Sequence, residues 1–213
     1  MSLHGDHRGP RRRLLAGLIG GCDDVAVNEE HLIRCSSAEW AETVEKWVIP
    51  WVLDGVDLGE DVLEVGPGPG LTTDVLRTLV PRLTAVEIHP ELASALAQRL
   101  ADTNVEVHCA DATGTDLPSG RFSGAVCLTM LHHVPTPERQ DAVFAEINRL
   151  LRPGGILVGQ DSLDRPDLRE LHHNDTYVPI DPEGLAPRLE AAGFTNVDVI
   201  TNEWAVRFHA TRP

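Results

Sequence analysis

Apolar residues recur at helical spacing between Ser36 and Trp51, which predicts an amphipathic helix. The residues on this stripe stand at i, i+4, i+7, i+8 and i+11, namely Trp40, Val44, Trp47, Val48 and Trp51. Ser36 followed by Glu39 is a capping-box signature at the start of the helix, and Pro50 predicts a kink or an end near the last turn. Three tryptophans on one stripe indicate either core packing or a lid over a ligand.

After residue 60 the pattern changes to short apolar runs separated by helix-period segments, as is typical of strands buried on both faces of a parallel sheet. The five predicted strands are Asp61–Val65, Leu83–Ile88, Val105–Cys109, Gly124–Met130 and Ile156–Gln160. The predicted helices between them are Leu71–Leu79, Pro90–Ala101 and Pro137–Leu151. Right-handed crossovers then predict an α/β fold with a doubly wound open sheet and helices on both faces.

The segment from Asp161 to Asp181 is rich in Asp, His and Pro, and it is too irregular for a predicted helix or strand. A loop of this length is uncommon unless it is functional or mobile, which is how we interpret it. Asp181 caps a predicted helix that runs through Ala192. Two further predicted strands, Thr195–Ile200 and Glu203–Ala210, are close enough in sequence to form a hairpin.

Length and charge narrow the range of partners. The chain has 213 residues, which predicts one domain with at most a short appendage. Its formal net charge of −15 would repel a phosphate backbone, and aromatic residues at 4% give little material for stacking bases. No apolar stretch approaches the roughly 18 residues that a membrane helix needs. We therefore expect no nucleic-acid partner and no membrane span.

The first twenty residues reverse the charge, because four arginines outweigh Asp6 there. We predict a flexible basic tail over 1–20, an N-terminal helical cap over 21–58 and the α/β domain over 59–213. The run Arg11–Cys22 superficially resembles a twin-arginine or lipoprotein leader, and a basic tail is the preferred interpretation. Four cysteines without a C-x-x-C pair predict reduced thiols and hence a cytoplasmic location.

The candidate chemistry lies where the predicted parallel strands end, because open α/β sheets bind ligands outside the carboxyl ends of their strands. The first strand leads through Glu64 into a turn that contains Gly66, Gly68 and Gly70. These glycines allow the backbone to approach a ligand closely. Their G-x-G-x-G spacing does not fit the G-x-G-x-x-G pyrophosphate fingerprint of dinucleotide sites.

Two acidic residues follow the next two strands. Glu87 comes at the end of the second strand, where a carboxylate can accept hydrogen bonds from both hydroxyls of a ribose. Asp111 follows the third strand and is placed to accept a hydrogen bond from the exocyclic amine of a purine. Together with Glu64 they predict a negative pocket, which suits a positively charged ligand better than a pyrophosphate.

These motifs resemble those of the class I S-adenosylmethionine-dependent methyltransferases, over roughly residues 60 to 210. The matching features are the E-x-G-x-G-x-G loop, Glu87, the Ala-Asp-Ala stretch at 110–112, the LTMLHHV stretch at 128–134 and the LLRPGG stretch at 150–155. The resemblance implies a Rossmann-like methyltransferase fold, with a seven-stranded, mostly parallel sheet whose last strand inserts antiparallel. It further implies cofactor contacts from Glu64, Gly66, Gly68, Gly70, Glu87, Ile88, Asp111, Ala112 and Thr129.

Within that set the resemblance places Glu64 near the methionyl amine, Glu87 on the ribose hydroxyls and Asp111 on the adenine amine. The implied function is methyl transfer from S-adenosylmethionine to the oxygen, nitrogen or carbon of a small molecule, with S-adenosylhomocysteine as the product. Such an in-line displacement needs alignment and exclusion of water more than a demanding catalytic constellation. If the acceptor is a hydroxyl, His132 or His133 is the candidate base, and shaping of the pocket is the alternative role.

A second polar cluster follows the fifth strand, where an acceptor would lie. Its members are Asp161, His172, His173, Asp175 and Tyr177. Adjacent histidines in an extended segment point in opposite directions and no fourth ligand is evident, so we expect no metal site. His31 and Cys35, at i and i+4, would share a helix face in the predicted cap, close to the acceptor.

Two other functions stay open at this point. One is a protein that binds S-adenosylmethionine without turning it over. The other is a nicotinamide-dependent oxidoreductase, which the glycine spacing and the absence of a Tyr-x-x-x-Lys pair disfavour. The preferred interpretation is the enzyme, with a small molecule as its acceptor and a homodimer as a candidate assembly.

Overall fold

A computed structural model describes residues 28–213, so the predicted basic tail and the first residues of the predicted cap lie outside the described range. Seven strands form one sheet in the order β3-β2-β1-β4-β5-β7-β6. The strands are β1 (Asp61–Val65), β2 (Arg82–Glu87), β3 (Val105–Cys109), β4 (Phe122–Leu128), β5 (Leu151–Ser162), β6 (Thr195–Thr201) and β7 (Ala205–Thr211). The first five are parallel, and β7 lies antiparallel between β5 and β6. The predicted seven-stranded, mostly parallel sheet is confirmed.

Helices connect the strands and also precede the sheet. They are α1 (Glu29–Cys35), α2 (Ala38–Thr43), α3 (Ile49–Val52), α4 (Leu71–Leu79), α5 (Pro90–Arg99), α6 (Pro137–Leu150), α7 (Pro166–Leu171) and α8 (Pro182–Ala191). A π-helical turn at Val44–Val48 joins α2 to α3, and a 3₁₀ turn at Leu131–His133 follows β4. Among the described residues, no helix is long and apolar enough to cross a membrane.

Both faces of the sheet are buried. On one face Phe144 of α6 packs against the ring of Phe208 of β7, at a centroid distance of 6.1 Å, in the larger core cluster. On the other face Val52 of α3 and Leu76 of α4 belong to a second cluster that includes Val62 of β1. Because β4 is buried along its whole length, the residues that follow it emerge from the centre of the molecule.

The helical cap differs from its prediction at both ends. Ser37, rather than Ser36, caps α2 by accepting a hydrogen bond from the backbone N–H of Trp40, because Ser36 is used to end α1. The helix continues through the π-helical turn past Pro50, whose missing N–H an ordinary α-helix would require. The tryptophan stripe is only partly core, since Trp47 is 72% exposed whereas Trp51 packs against the second cluster.

The segment between β5 and α8 is more regular than predicted. It contains α7, a six-residue helix with Pro166 in its first turn and Asp167 close to its start. Both residues favour a helix start, so the expectation of an irregular segment throughout is wrong. The prediction was drawn from composition, and a helix of fewer than two turns leaves little periodicity to detect.

Candidate functional site

A crevice runs along the carboxyl ends of β1 to β4, at the point where the strand order reverses between β1 and β4. Open α/β sheets bind ligands at this position. The crevice has a volume of about 1050 Å³, which includes the part open to solvent. Every predicted cofactor-binding residue except Glu64 and Gly70 lines it.

The glycine turn after β1 forms one wall of the crevice. Gly68 has a φ of 55° and a Cβ at this position would meet nothing within 4 Å, so its backbone borders open space. Gly66 also has a positive φ, and a Cβ there would lie 2.8 Å from the Cβ of Met130. Gly70 lies behind this wall and packs against Leu96 of α5. A larger residue at 68 would therefore fill the space that a ligand would occupy.

Glu87 stands opposite the glycine turn and is 3% exposed. One of its carboxylate oxygens accepts a hydrogen bond of 2.9 Å from the backbone N–H of Gly68. The other accepts a hydrogen bond of 2.9 Å from the backbone N–H of His89. Each oxygen keeps a further lone pair, so the carboxylate is held in place and can still accept two hydroxyl groups.

Glu64 lies beneath the crevice rather than in its wall. Thr72, which lines the crevice, donates a hydrogen bond to Glu64 Oε1. Within residues 28–213, Oε2 is buried and has no hydrogen-bond partner. Burial raises the pKa of Glu64 to about 7, although the nearby hydroxyls of Thr72 and Thr73 act to lower it. A cation bound nearby would therefore favour ionisation of this carboxyl group.

Asp111 is held by two neighbours. Thr113 donates hydrogen bonds to Oδ1 from its backbone N–H at 2.9 Å and from its hydroxyl at 2.8 Å, and Arg139 donates to Oδ2 at 2.6 Å. Burial acts to raise the pKa of Asp111, but the contacts with Thr113 and Arg139 lower it below its ordinary value. Arg139, in the first turn of α6, lines the crevice and was not a predicted site residue.

Thr129 lies at the opposite end of the crevice from Asp111, directly after β4. Its backbone N–H donates to the carbonyl of Gln160 at 2.8 Å, and its φ of 49° is rare for a residue other than glycine. Such strain is found mainly where the surrounding structure enforces it, often at functional sites. Thr129 also borders a second cavity of about 450 Å³.

The second cavity adjoins the crevice on the side of the N-terminal cap. The two share four lining residues, namely His31, Cys35, Trp40 and Thr129. His31 and Cys35 therefore share a site, as the i and i+4 spacing predicts. His132 and His172 line only the second cavity, whereas His133 lines only the crevice.

Two buried carboxylates orient the histidines. Asp161, at the end of β5, accepts a hydrogen bond of 3.2 Å from the backbone N–H of His132 and lies 2.6 Å from its Nδ1. Asp175 lies 3.2 Å from Nδ1 of His31. Burial, helped by His132 and His31 and opposed by Asp175, lowers the pKa of His133 to about 4, so this ring is neutral at pH 7.

The polar cluster predicted after β5 forms only in part. His172 and Tyr177 stack with their ring centroids 4.4 Å apart, and Asp175 lies beneath them among the histidines. The side chain of His173 is exposed and stays outside this group. The proximity of His31 to His132 was missed, because no periodicity connects residues about a hundred positions apart.

Comparison with known proteins agrees with this geometry. The family described as "Methyltransferase domain" matches residues 63–159. The ubiquinone biosynthesis O-methyltransferase of Xanthomonas oryzae pv. oryzae (strain PXO99A) is 34% identical over 160 residues, covering 66% of this chain and 65% of that protein. The chain thus spans less than two thirds of the length of this relative.

Solved structures show the same fold. An S-adenosylmethionine-dependent methyltransferase from Aquifex aeolicus superposes with a TM-score of 0.69 at 19% identity, covering 88% of this chain and all of that one. A phosphoethanolamine N-methyltransferase from Haemonchus contortus, in complex with S-adenosylhomocysteine, gives 0.67 at 13% identity over 88% and 61% of the two chains. In its motifs and sheet order this chain is similar to the class I S-adenosylmethionine-dependent methyltransferases, and its residues 63–159 match a methyltransferase-domain family.

Proposed function

We propose that this protein transfers a methyl group from S-adenosylmethionine to a small molecule that enters through the second cavity. The observation that carries the proposal is the junction at Thr129, where the cofactor crevice meets a cavity lined by histidines. A donor in one space and an acceptor in the other would meet at this junction. In-line displacement requires that contact, because the reacting atoms must be held about 3 Å apart and away from water.

The residues of the crevice fit the proposed cofactor. The open space at Gly68 admits a ligand against the backbone, and the carboxylate of Glu87 is positioned to accept from two ribose hydroxyls. Asp111 and Arg139 would border the adenine, whereas Glu64 would act through Thr72 on the methionyl ammonium. When bound, S-adenosylmethionine supplies an electrophilic methyl group on a sulfonium.

The acceptor class follows from the walls of the second cavity. Trp40 and Leu168 provide apolar surface, and the histidine rings provide polar nitrogens. This lining suits a small aromatic or apolar molecule that carries one or two polar atoms. The relatives include O- and N-methyltransferases, so the acceptor atom is left as oxygen, nitrogen or carbon. The predicted homodimer and cytoplasmic location stay predictions.

For a hydroxyl acceptor, we propose that His132 or His133 accepts its proton. His132 has the geometry of an oriented base, since Asp161 contacts its Nδ1 and leaves Nε2 toward the second cavity. His133 has the position, because it lines the crevice in its neutral form. An acceptor at nitrogen or carbon would need these rings only as part of the cavity wall.

Two measurements test the proposal. Calorimetry with S-adenosylmethionine and S-adenosylhomocysteine should show one site per chain. Incubation with the donor and a panel of phenols, hydroquinones and aromatic amines should release S-adenosylhomocysteine with at least one of them. Absence of cofactor binding would refute the assignment of the crevice. Binding without product from any member of the panel would favour a protein that holds the cofactor but performs no transfer.

A further inference from the structure

Four histidine rings meet between the two cavities, although they come from three separate segments. This histidine cluster comprises His31, His132, His133 and His172. One ring nitrogen of each lies within 4.8 Å of the corresponding nitrogen of the others. The segments are α1, the 3₁₀ turn after β4 and the end of α7, so the cluster is built entirely by tertiary packing.

Three of the four rings are almost fully buried. His31, His132 and His172 are at most 6% exposed. Burial lowers the pKa of His172 as well as that of His133, and neighbouring rings of the cluster lower both further. A neutral imidazole has one nitrogen with a free lone pair, and this is the form that binds a metal ion.

Acceptor groups contact the Nδ1 atoms of three rings. Asp161 lies 2.6 Å from Nδ1 of His132, Asp175 lies 3.2 Å from Nδ1 of His31, and the carbonyl of Leu168 lies 2.6 Å from Nδ1 of His172. Such contacts keep a proton on Nδ1 and direct the lone pair of Nε2 elsewhere. Metal-binding histidines in proteins are oriented in the same way, by a carboxylate or carbonyl on the other ring nitrogen.

The opposite nitrogens of two of these rings lack partners. Nε2 of both His132 and His172 is buried without a hydrogen-bond partner among residues 28–213. Buried polar atoms are nearly always satisfied in folded proteins, so two such atoms in one cluster call for a ligand. A metal ion is a Lewis acid that can accept the lone pairs of several imidazoles at once, and Asp161 and Asp175 supply negative charge to balance it.

We propose that the histidine cluster binds one divalent transition-metal ion of the class that prefers imidazole, with Zn²⁺ as the first candidate. Four nitrogens around a tetrahedral Zn²⁺ stand roughly 3.3 Å apart, so the rings need to close by about 1.5 Å at most. Mg²⁺ and Ca²⁺ prefer oxygen ligands and would not compete. The proposal departs from the prediction of no metal site, which considered His172 and His173 without the rings that His31 and the 3₁₀ turn contribute.

The ion would lie close to the point of methyl transfer. Its role there rests on the proposed function, whereas the metal site itself does not. The cluster borders both cavities, so an ion there that expanded to five-coordinate could take the oxygen of an acceptor as its fifth ligand, near the methyl group. A ring nitrogen that binds a metal cannot also accept a proton. The metal and base roles of His132 therefore exclude each other, and chelation distinguishes them.

The test uses the full chain after treatment with a chelator and dialysis. Titration with Co²⁺ should produce the visible absorption of a nitrogen-ligated ion, saturating at one equivalent with an affinity on the order of micromolar or tighter. Zn²⁺ should abolish the signal and 10 mM Mg²⁺ should not. These readouts require neither cofactor nor turnover, so they are independent of the proposed function.

Variants locate the site. His31→Ala and His172→Ala should each lose more affinity for Co²⁺ than the 10- to 100-fold expected for Asp175→Asn, which alters an outer partner. The matched control is His173→Ala, one residue along the same segment, which should bind as the wild type does. His4→Ala/His7→Ala controls for the histidines outside the described residues. An unfolding temperature that matches the wild type in the absence of metal would show that the variants are folded.

Other results would contradict a metal site at the histidine cluster. Failure of the wild-type chain to bind Co²⁺ or Zn²⁺ would refute the site even if the alanine variants were to misfold. Binding that persists in His31→Ala and His172→Ala, or that disappears in His4→Ala/His7→Ala, would place the metal elsewhere. Loss of metal binding confined to the cluster variants, with the metal-free unfolding temperature intact, would support the inference whatever the acceptor proves to be.

Discussion

Replacement of Glu87 by alanine tests the assignment of the ribose end of the crevice. Each oxygen of Glu87 already accepts one backbone N–H at 2.9 Å and has a lone pair left for a hydroxyl. Hydrogen bonds to a charged group contribute about 1.5–3 kcal/mol. We therefore expect Glu87→Ala to weaken S-adenosylmethionine binding by roughly 10- to 150-fold.

Calorimetry with two ligands separates hydrogen bonding from charge. S-adenosylhomocysteine has the same ribose but no positive sulfur, so loss of the ribose contact should weaken both ligands equally. A loss confined to S-adenosylmethionine would mean that Glu87 acts through its field on the sulfonium. The matched control is Glu91→Ala, which removes the same charge from the exposed first turn of α5, outside the crevice, and should change either affinity by less than about twofold.

The variant also leaves the backbone N–H groups of Gly68 and His89 without their acceptor, which could loosen the glycine turn. Thermal unfolding measured alongside calorimetry shows whether the fold survives. Unchanged affinity for both ligands in a variant with the wild-type unfolding temperature would place the ribose elsewhere and refute the reasoning.

Three further predictions address the rest of the site. Gly68 and Gly120 both have a positive φ and border open space, so an alanine at either position is strained, but only Gly68 lines the crevice. Calorimetry should therefore show weaker cofactor binding in Gly68→Ala and not in Gly120→Ala. Equal affinities in the two variants would refute a close approach of the cofactor to the backbone of Gly68. Because burial raises the pKa of Glu64 to about 7, the folded protein holds this proton more tightly than the unfolded chain, and the resulting stability, complete below about pH 4.5, is lost as the pH rises through 7. Glu64→Gln should flatten that part of the pH dependence of the unfolding temperature, and an unaltered profile would contradict the raised pKa. If His132 is the base for a hydroxyl acceptor, His132→Ala should lower the rate of S-adenosylhomocysteine release by chelator-treated protein about 10²–10⁴-fold. A rate equal to that of the wild type would mean that His132 only forms part of the cavity wall.

The adenosine end of the crevice could be predicted because each of its parts is local. Gly66 and Gly68 lie in one turn after a strand, and Glu87 lies at the end of the next strand. Parallel pairing of β1 with β2 then brings the turn and the carboxylate to the same edge of the sheet. Only the hydrogen bond from the backbone N–H of Gly68 to Glu87 could not be predicted from the sequence.

The contact between Arg139 and Asp111 could not be foreseen in the same way. Sequence periodicity places Arg139 in the first turn of a helix but leaves the direction of its side chain undetermined. Its guanidinium reaches Asp111 because α6 begins beside the end of β3. Charge pairing between two such segments depends on how the helix lies against the sheet, which a single sequence does not reveal.

The acceptor end depends even more on tertiary packing. The helix around His31 precedes the first strand, and the helix before His172 lies in a segment whose composition predicted a loop. Neither segment pairs with the sheet, so no register fixes where its side chains go. His172 turns inward and His173 outward, but they do so in the turn that ends α7 and not in the extended segment that the prediction assumed.

The cofactor contacts and the walls of the second cavity come from different parts of the fold. The cofactor contacts come from segments tied to the parallel strands, whereas the second cavity is closed by α1, α2 and α7. Substitutions confined to the helices can therefore alter the acceptor without disturbing Glu87 or the glycine turn. The exceptions are the helix residues that line both spaces, namely His31, Cys35 and Trp40. A change there should affect the KM of both substrates at once, which is the behaviour expected of a side chain that separates solvent from the point of transfer.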